Sequence, residues 1–460
     1  MIQFPKDFLW GSATSCYQIE GGWQAGGKGL SIWDAFCHIP GKIHEGQSGD
    51  VACDHYNRYK EDVKMMADLG LKAYRFSISW SRIQVDGQGK PNPEGIKFYS
   101  DLIDELLAHG IEPWATLYHW DLPLALQMEK DGWLNPEIAD DFAKYASICF
   151  EHFGDRVKNW ITLNEAWVVS ILGYGQGVFA PGRTSNREPY LAAHHLLLAH
   201  AKAVHVYRNE FQSQQKGQIG MANNCDWREP KTNNPQDHAA ALRALEFFLG
   251  WFADPIYFGD YPAVMRERLG DRLPKFSDEE SAMLKGSSDF FGLNHYTTLY
   301  AAEMKEGDEH VVVVNGNGGI SEDQMVKLSS DPNWTFTTME WGIVPWGCQK
   351  LLEWIKNRYG NPPIYITENG CSLPDKVEDG GVDDPIRLEF IKSYLEACHQ
   401  AIQNGVNLRG YFVWSLMDNF EWTSGYSKRF GIHYVDFETL ERIPKSSAKW
   451  YGRAIANNGF

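Results

Sequence analysis

The sequence predicts an α/β fold, a single (β/α)₈ TIM barrel with long loops at the C-terminal face of its strands, and three observations carry that expectation. Eight short apolar segments recur along the 460 residues. Helical patterns lie between them, as parallel strands joined by crossover helices require. No Gly-x-Gly-x-x-Gly turn follows the first segment, which disfavours an open, doubly wound sheet.

The segments, in order, are Phe8–Ser15, Ala73–Ser79, Glu112–Tyr118, Asn159–Asn164, Gln218–Asn223, Phe290–Tyr296, Ile364–Thr367 and Leu408–Leu416. Each is rich in β-branched or aromatic side chains and lacks strict alternation, the pattern of a strand buried on both faces. Between the first two, Tyr56–Leu69 sets Tyr59, Val63, Met66 and Leu69 on one helical face, and Gly70 supplies a stop. Glu94–His109 and Pro136–Phe153 follow the same spacing. The latter opens on Asn135-Pro136, a cap followed by proline at the first helical position. The stretch from Glu303 to Asn333 is rich in Gly, Asn, Asp and Ser and reads as a surface excursion with a small hairpin around Val311–Val314. No linker composition interrupts the chain, so residues 1–460 are expected to form one catalytic domain.

The composition is that of a globular protein, 43% hydrophobic and 22% charged, with a net charge of −17. Without a basic stripe, neither nucleic acid nor an anionic membrane surface is an expected partner. The first residues lack the basic head and apolar run of an export signal, and no apolar run reaches the roughly 18 residues of a membrane span. A cytoplasmic location is therefore expected. Eight cysteines are scattered with no Cys-x-x-Cys pair, which reads as free, mostly buried thiols. The 18 tryptophans suggest rings that stack on flat ligands such as sugar faces.

A barrel gathers its chemistry at the C-terminal ends of its strands. Two of those ends are twins: Ile161-Thr162-Leu163-Asn164-Glu165 and Ile364-Tyr365-Ile366-Thr367-Glu368-Asn369 each run apolar residues into a threonine and then a glutamate beside an asparagine. On strands four and seven the two carboxyls face each other across the barrel mouth. Two facing carboxyls suit glycoside hydrolysis, one attacking or steadying the anomeric carbon and the other protonating the departing oxygen. Taken singly, either glutamate reads more readily as a solvated rim residue. His194, His195, His200 and His205 lack metal-site spacing and read as helix residues, and neither metal nor cofactor is expected.

Several further segments extend this pattern: Phe8-Leu9-Trp10-Gly11-Ser12-Ala13-Thr14, Tyr17-Gln18-Ile19-Glu20-Gly21, Tyr74-Arg75-Phe76-Ser77-Ile78-Ser79-Trp80, Tyr118-His119-Trp120-Asp121-Leu122-Pro123, Ile366-Thr367-Glu368-Asn369-Gly370 and Trp414-Ser415-Leu416-Met417-Asp418-Asn419-Phe420-Glu421-Trp422. With these the chain resembles glycoside hydrolase family 1, the retaining β-glucosidases, along essentially its whole length. The resemblance implies double displacement, with Glu368 as nucleophile, Glu165 as acid and then base, and Arg75 and Tyr296 supporting the nucleophile. It implies a sugar site of Gln18, His119, Trp120, Asn164, Asn294, Glu421 and Trp422. Asn164 is expected on the 2-hydroxyl, Trp414 as the stacking floor and Trp341 beside the aglycone. Trp10, Trp33, Trp80 and Trp160 are expected in the core.

The chain departs from the family at Ala166, where proline is common, and at His295, where tyrosine is common and a change in rim polarity is expected. Related 6-phospho-β-glycosidases use serine, lysine and tyrosine where this chain has Glu421, Lys428 and Phe430. Glu421 would repel a phosphate dianion, and Phe430 offers no hydroxyl. A non-catalytic sugar-binding relative is the other alternative, disfavoured by the presence of both carboxyls. The expected substrates are small β-glucosides and oligosaccharides such as cellobiose, with β-galactoside and β-fucoside side activity and transfer to alcohols competing with water.

Overall fold

A computed structural model describes residues 2–305, 307–308 and 321–460. Eight parallel strands close into a barrel in chain order: β1 (Leu9–Ala13), β2 (Ala73–Ser77), β3 (Glu112–Tyr118), β4 (Asn159–Asn164), β5 (Gln218–Asn224), β6 (Phe291–Asn294), β7 (Ile364–Asn369) and β8 (Leu408–Trp414). Closure is made by β1 against β8, with Leu9 opposite Gly410 and Ala13 opposite Trp414. All eight expected segments are barrel strands. Their ends differ by a few residues, and β7 runs two residues further than expected, so that Glu368 lies within the strand rather than past it.

The barrel interior is filled by side chains. Trp114 sits at its centre, with ring centroids 5.4 Å from Phe290, 4.6 Å from Tyr365 and 5.2 Å from Phe412. Ala13, Ala73 and Ala222 leave room for the large ring, and Ile161, Trp414 and Phe430 belong to the same cluster. Gly11 is required here: a Cβ at that position would lie 2.4 Å from the Phe412 ring. The plug closes the barrel below and makes a floor for whatever sits at the mouth.

Helices His55–Leu69, Pro93–Ala108, Ile138–Phe153, Glu188–Val206, Pro345–Tyr359, Pro385–Gln403 and Ser446–Asn457 pack around the strands. The first ends as its sequence predicts, at Gly70 in the left-handed region (φ 82°). The third starts two residues later than the Asn135-Pro136 pair suggests. Asn135 Oδ1 accepts from Glu137 N at 2.9 Å in a local turn, and the helix begins at Ile138. The histidines sit on Glu188–Val206 with ordinary partners: Tyr261 for His194, the Trp133 carbonyl for His195, and Thr162 and Ser287 for His200. All eight cysteines are free and buried.

A separate three-stranded sheet was not legible in the sequence. Trp227–Pro230 pairs in parallel with Thr298–Glu303, which pairs antiparallel with Val326–Ser329. The hairpin expected around Val311–Val314 falls outside the described residues. No helix among the described residues is long and apolar enough to cross a membrane.

Candidate active site

β4 and β7 deliver the two glutamates. Asn164 ends β4, and Glu165 follows in the left-handed region (φ 49°), held by its N–H donating to the Ala222 carbonyl at 2.9 Å. Trp120, just past β3, is also left-handed (φ 77°). Such conformations in bulky residues cost on the order of 1–3 kcal/mol each and persist where the surroundings over-determine them. Both glutamates line one pocket at the C-terminal face and are nearly buried, at 6% and 3% exposure.

Their surroundings differ sharply. Glu368 is held at both oxygens: Arg75 Nη1 donates to Oε1 at 2.7 Å and Tyr296 Oη to Oε2 at 2.7 Å. Among the described residues Glu165 receives a single hydrogen bond, from Asn294 Nδ2 to Oε1 at 2.7 Å. Burial lifts Glu165 well above the ordinary carboxyl range and the Glu368 charge lifts it further, against weaker opposition from Asn294 and Arg75. Burial also lifts Glu368, but Arg75 and Tyr296 draw it back. Glu165 therefore keeps its proton to higher pH than Glu368: burial lifts both, and the Arg75 and Tyr296 contacts lower Glu368 alone by hydrogen bonding.

Asn164 ties the pair together. Its Oδ1 accepts from Arg75 Nη2 at 2.5 Å and from Asn294 Nδ2 at 3.0 Å. That fixes the amide orientation, so Nδ2 donates to His119 Nε2 at 3.0 Å. Burial and the Arg75 charge push the His119 pKa well below its usual value. The neutral ring must carry its proton on Nδ1, which has no protein partner among the described residues. One N–H is thus left for a ligand.

Of the residues expected to touch sugar, His119, Trp120, Asn294, Trp341, Trp414, Glu421 and Trp422 line the pocket. His119 is flanked by Trp414 and Trp422, with centroids 6.0 and 6.1 Å away. Four placements differ from the expectation. Trp120 Nε1 donates to the Asn164 carbonyl at 3.0 Å, so Trp120 offers its ring rather than a free donor. Gln18 is fully buried behind Glu421; its Nε2 donates to Asn419 Oδ1, the Phe420 carbonyl and Glu421 Oε2, and its Oε1 accepts from Ser15. Asn294 spends its amide on Glu165, Asn164 and Thr367 instead of presenting it to ligand. His295 is not at the rim: it is fully buried, its Nδ1 hydrogen-bonded to the Cys225 carbonyl and its backbone N–H donating to the Glu368 carbonyl at 3.0 Å. Ala166 is buried at the first position of a short helix, where a missing N–H would cost little.

Several wall residues went unread in the sequence: Val168, Leu172, Phe248 and Met339. Val168 and Leu172 had a signal, lying three and seven residues beyond Glu165 on one helical face. Glu421 opens onto the pocket with a pKa pushed up to about 8 by burial and by the Glu368 charge, opposed by Gln18. Lys428 Nζ donates to the Thr338 carbonyl at 2.5 Å, and Phe430 is buried against Tyr296 and Trp341.

A (β/α)₈ barrel whose fourth and seventh strands bring two carboxyls of unequal proton affinity to one pocket is the architecture of a glycoside hydrolase. The sequence model of glycosyl hydrolase family 1 matches residues 1–460, and the chain belongs to that family. It is 51% identical to β-glucosidase 42 of Arabidopsis thaliana, over 97% of this chain and 93% of that protein. It is 48% identical to β-glucosidase 1B of Phanerodontia chrysosporium, over 99% and 87%. The family 1 β-glucosidase of Thermotoga maritima superposes with a TM-score of 0.93 at 46% identity, covering 100% of this chain and 99% of that one. A rice β-glucosidase variant solved in covalent complex with glucose superposes with a TM-score of 0.93 at 44% identity, covering 98% and 99%.

Proposed function

We propose that the chain, acting as one catalytic domain, is a retaining β-glucosidase that removes terminal β-D-glucosyl residues from small glycosides, cellobiose among them, with β-galactosides and β-fucosides as slower substrates. The observation that carries the reading is the contrast between Glu368, hydrogen-bonded at both oxygens, and Glu165, held among the described residues by Asn294 alone. Glu368 attacks C1 as the C1–oxygen bond to the aglycone breaks, and the proton of Glu165 passes to the departing oxygen. Esterification removes the charge of Glu368, so the proton affinity of Glu165 falls and it becomes a base. Water gives its proton to Glu165, its oxygen bonds to C1 and the ester opens, releasing sugar of unchanged configuration. An alcohol in place of that water gives transfer.

In this reading Asn164 serves the sugar 2-hydroxyl with the Nδ2 hydrogen that remains after the bond to His119. The free N–H of His119 and the carboxyl of Glu421 serve the remaining hydroxyls over the ring of Trp414. A sugar 6-phosphate fits poorly, because Lys428 is engaged by a backbone carbonyl and Phe430 and Glu421 offer nothing to a dianion. Eight unpaired thiols fit a reducing compartment and hence the cytoplasm.

The test is the product. NMR of 4-nitrophenyl β-glucoside hydrolysis should show β-glucose before mutarotation, and Glu368→Ala should be inactive but recover with azide to give α-glucosyl azide. Initial release of α-glucose, or rescue through the β-azide, would assign the roles wrongly.

A further inference from the structure

Resting on the glucosidase reading, we infer that the leaving-group half of the pocket selects an apolar, ring-containing aglycone carrying one hydrogen-bonding group, and that Asn224 reads that group. The pocket divides by chemistry. The β8 and β3 side presents Glu421, His119 and the indole of Trp422, groups suited to sugar hydroxyls. The leaving oxygen lies on the other side, next to Glu165, because that residue must reach it with a proton.

There the wall is almost entirely apolar. Val168 and Leu172 project from the helical segment that begins at Glu165, Phe248 backs it by packing on Trp167 at 4.5 Å, and Met339 and Trp341 face it, Trp341 lying 5.3 Å from the Tyr296 ring. A second glucose would bring several hydroxyls to this wall and leave most of them unpaired, whereas a flat apolar ring loses nothing on entering.

Besides Asp226, Asn224 is the polar residue here. It ends β5, opposite Asn294 of β6, and lines the pocket. Its Oδ1 is shielded from solvent and makes no hydrogen bond, and its Nδ2 has no hydrogen-bond partner among the described residues. Amides in such positions are normally paired. With neither end tethered, rotation of the amide sacrifices no hydrogen bond, and the group can present a donor or an acceptor. The adjacent Asp226 is already engaged, its Oδ1 accepting from the Tyr296 and Thr297 N–H groups. Asn224 is thus a specificity-determining residue, recognising a hydroxyl or carbonyl borne by the aglycone ring.

Two comparisons test this on the full-length chain. Benzyl β-glucoside should be cleaved with kcat/KM at least tenfold above cellobiose, although benzyl alcohol is the poorer leaving group; equal or reversed values overturn the apolar reading. Second, 3- and 4-hydroxymethylphenyl β-glucosides should be set against their methylphenyl counterparts, whose leaving groups are closely matched. At least one hydroxymethyl isomer should be preferred about fivefold, and Asn224→Leu should erase that ratio. No preference in the parent, or a preference surviving Asn224→Leu, overturns the role of Asn224; the parent panel decides even if the variant does not fold. Failure to hydrolyse 4-nitrophenyl β-glucoside would overturn the glucosidase reading itself.

Discussion

Arg75 Nη1 donates to Glu368 Oε1 at 2.7 Å, with both side chains buried, and its Nη2 reaches Asn164 Oδ1 at 2.5 Å. One guanidinium from β2 therefore spans the tips of β7 and β4. It draws the Glu368 pKa down against burial. Removing the cation raises that pKa, so more of the nucleophile is protonated at a given acidic pH. Arg75→Gln should shift the acid limb of kcat/KM upward by more than about 1 pH unit, one unit being ~1.4 kcal/mol of lost carboxylate stabilisation. Arg75→Lys, which keeps the charge but not the fork, should restore much of the limb while kcat stays depressed. A pH–rate profile separates the two effects, and an unmoved acid limb in Arg75→Gln would detach Arg75 from the ionisation of Glu368.

As the proposed acid, Glu165 matters to the first step only where the departing oxygen needs a proton. In Glu165→Ala, glycosylation by 2,4-dinitrophenyl β-glucoside should stay within about tenfold of the parent, while methyl β-glucoside should fall by about 10²–10⁴-fold, the range of a lost general acid. Presteady-state release of dinitrophenol isolates the first step, since deglycosylation also loses its base. Equal losses for the two substrates would remove Glu165 from the acid role.

The strands were legible because burial on both faces forces continuous apolar composition, and the glutamates because twin Thr-x-Asn-Glu and Thr-Glu-Asn tips stand where a barrel gathers its chemistry. Partnerships between side chains were not legible. Nothing local to Gln18 announces that Ser15, Asn419 and Phe420 saturate its amide, and nothing near Trp120 announces that the Asn164 carbonyl takes its indole N–H. Ser15 aside, these partners lie past neighbouring strands, β8 beside β1 and β4 beside β3, but far away in the sequence. The same holds for Trp227–Pro230, four residues ending in a proline, whose pairing with Thr298–Glu303 comes from a distant part of the chain. Asn224 lay at a recognised strand tip, but only the structure shows that its buried Oδ1 has no partner among the described residues.

Glu421 couples the site to stability. With its folded pKa pushed up to about 8, against about 4.3 in an unfolded chain, the folded state binds more protons than the unfolded state between those values. Its contribution is therefore most favourable below about pH 4.3, declines as pH rises, and is flat above about pH 8. Glu421→Gln, which keeps an oxygen for Gln18 but cannot ionise, should stabilise the protein at pH 9 by on the order of 2 kcal/mol, and the gain should vanish near pH 4.5. Glucoside turnover should fall in the same variant. Thermal denaturation of both proteins at pH 4.5, 7 and 9 checks the sign; a stabilisation independent of pH would place its origin elsewhere.

Gly370 follows Glu368 and Asn369, and its place in the motif has a steric cause. A Cβ there would lie 1.7 Å from the Trp414 carbonyl oxygen and 2.8 Å from the carbonyl carbon. Backbone cannot yield as a flexible side chain would, so β7 and β8 must separate at their tips, one carrying Glu368 and the other Trp414, which pairs with Ala13 across the barrel closure. Gly370→Ala should cost about 1–3 kcal/mol of stability, the usual penalty of overpacking. Its effect on catalysis should exceed what a destabilised fold explains, with kcat/KM down about 10²-fold at temperatures where the variant is fully folded, because a 1 Å misplacement of a reacting group costs about that much. Gly360→Ala makes the control: that glycine ends a helix with open space around its Cβ position and a left-handed φ of 75°, so the substitution strains the backbone without moving β7 or β8. Matched losses of stability with activity lost only in Gly370→Ala would locate the defect at the strand tips, and parallel losses of activity in both would refute it.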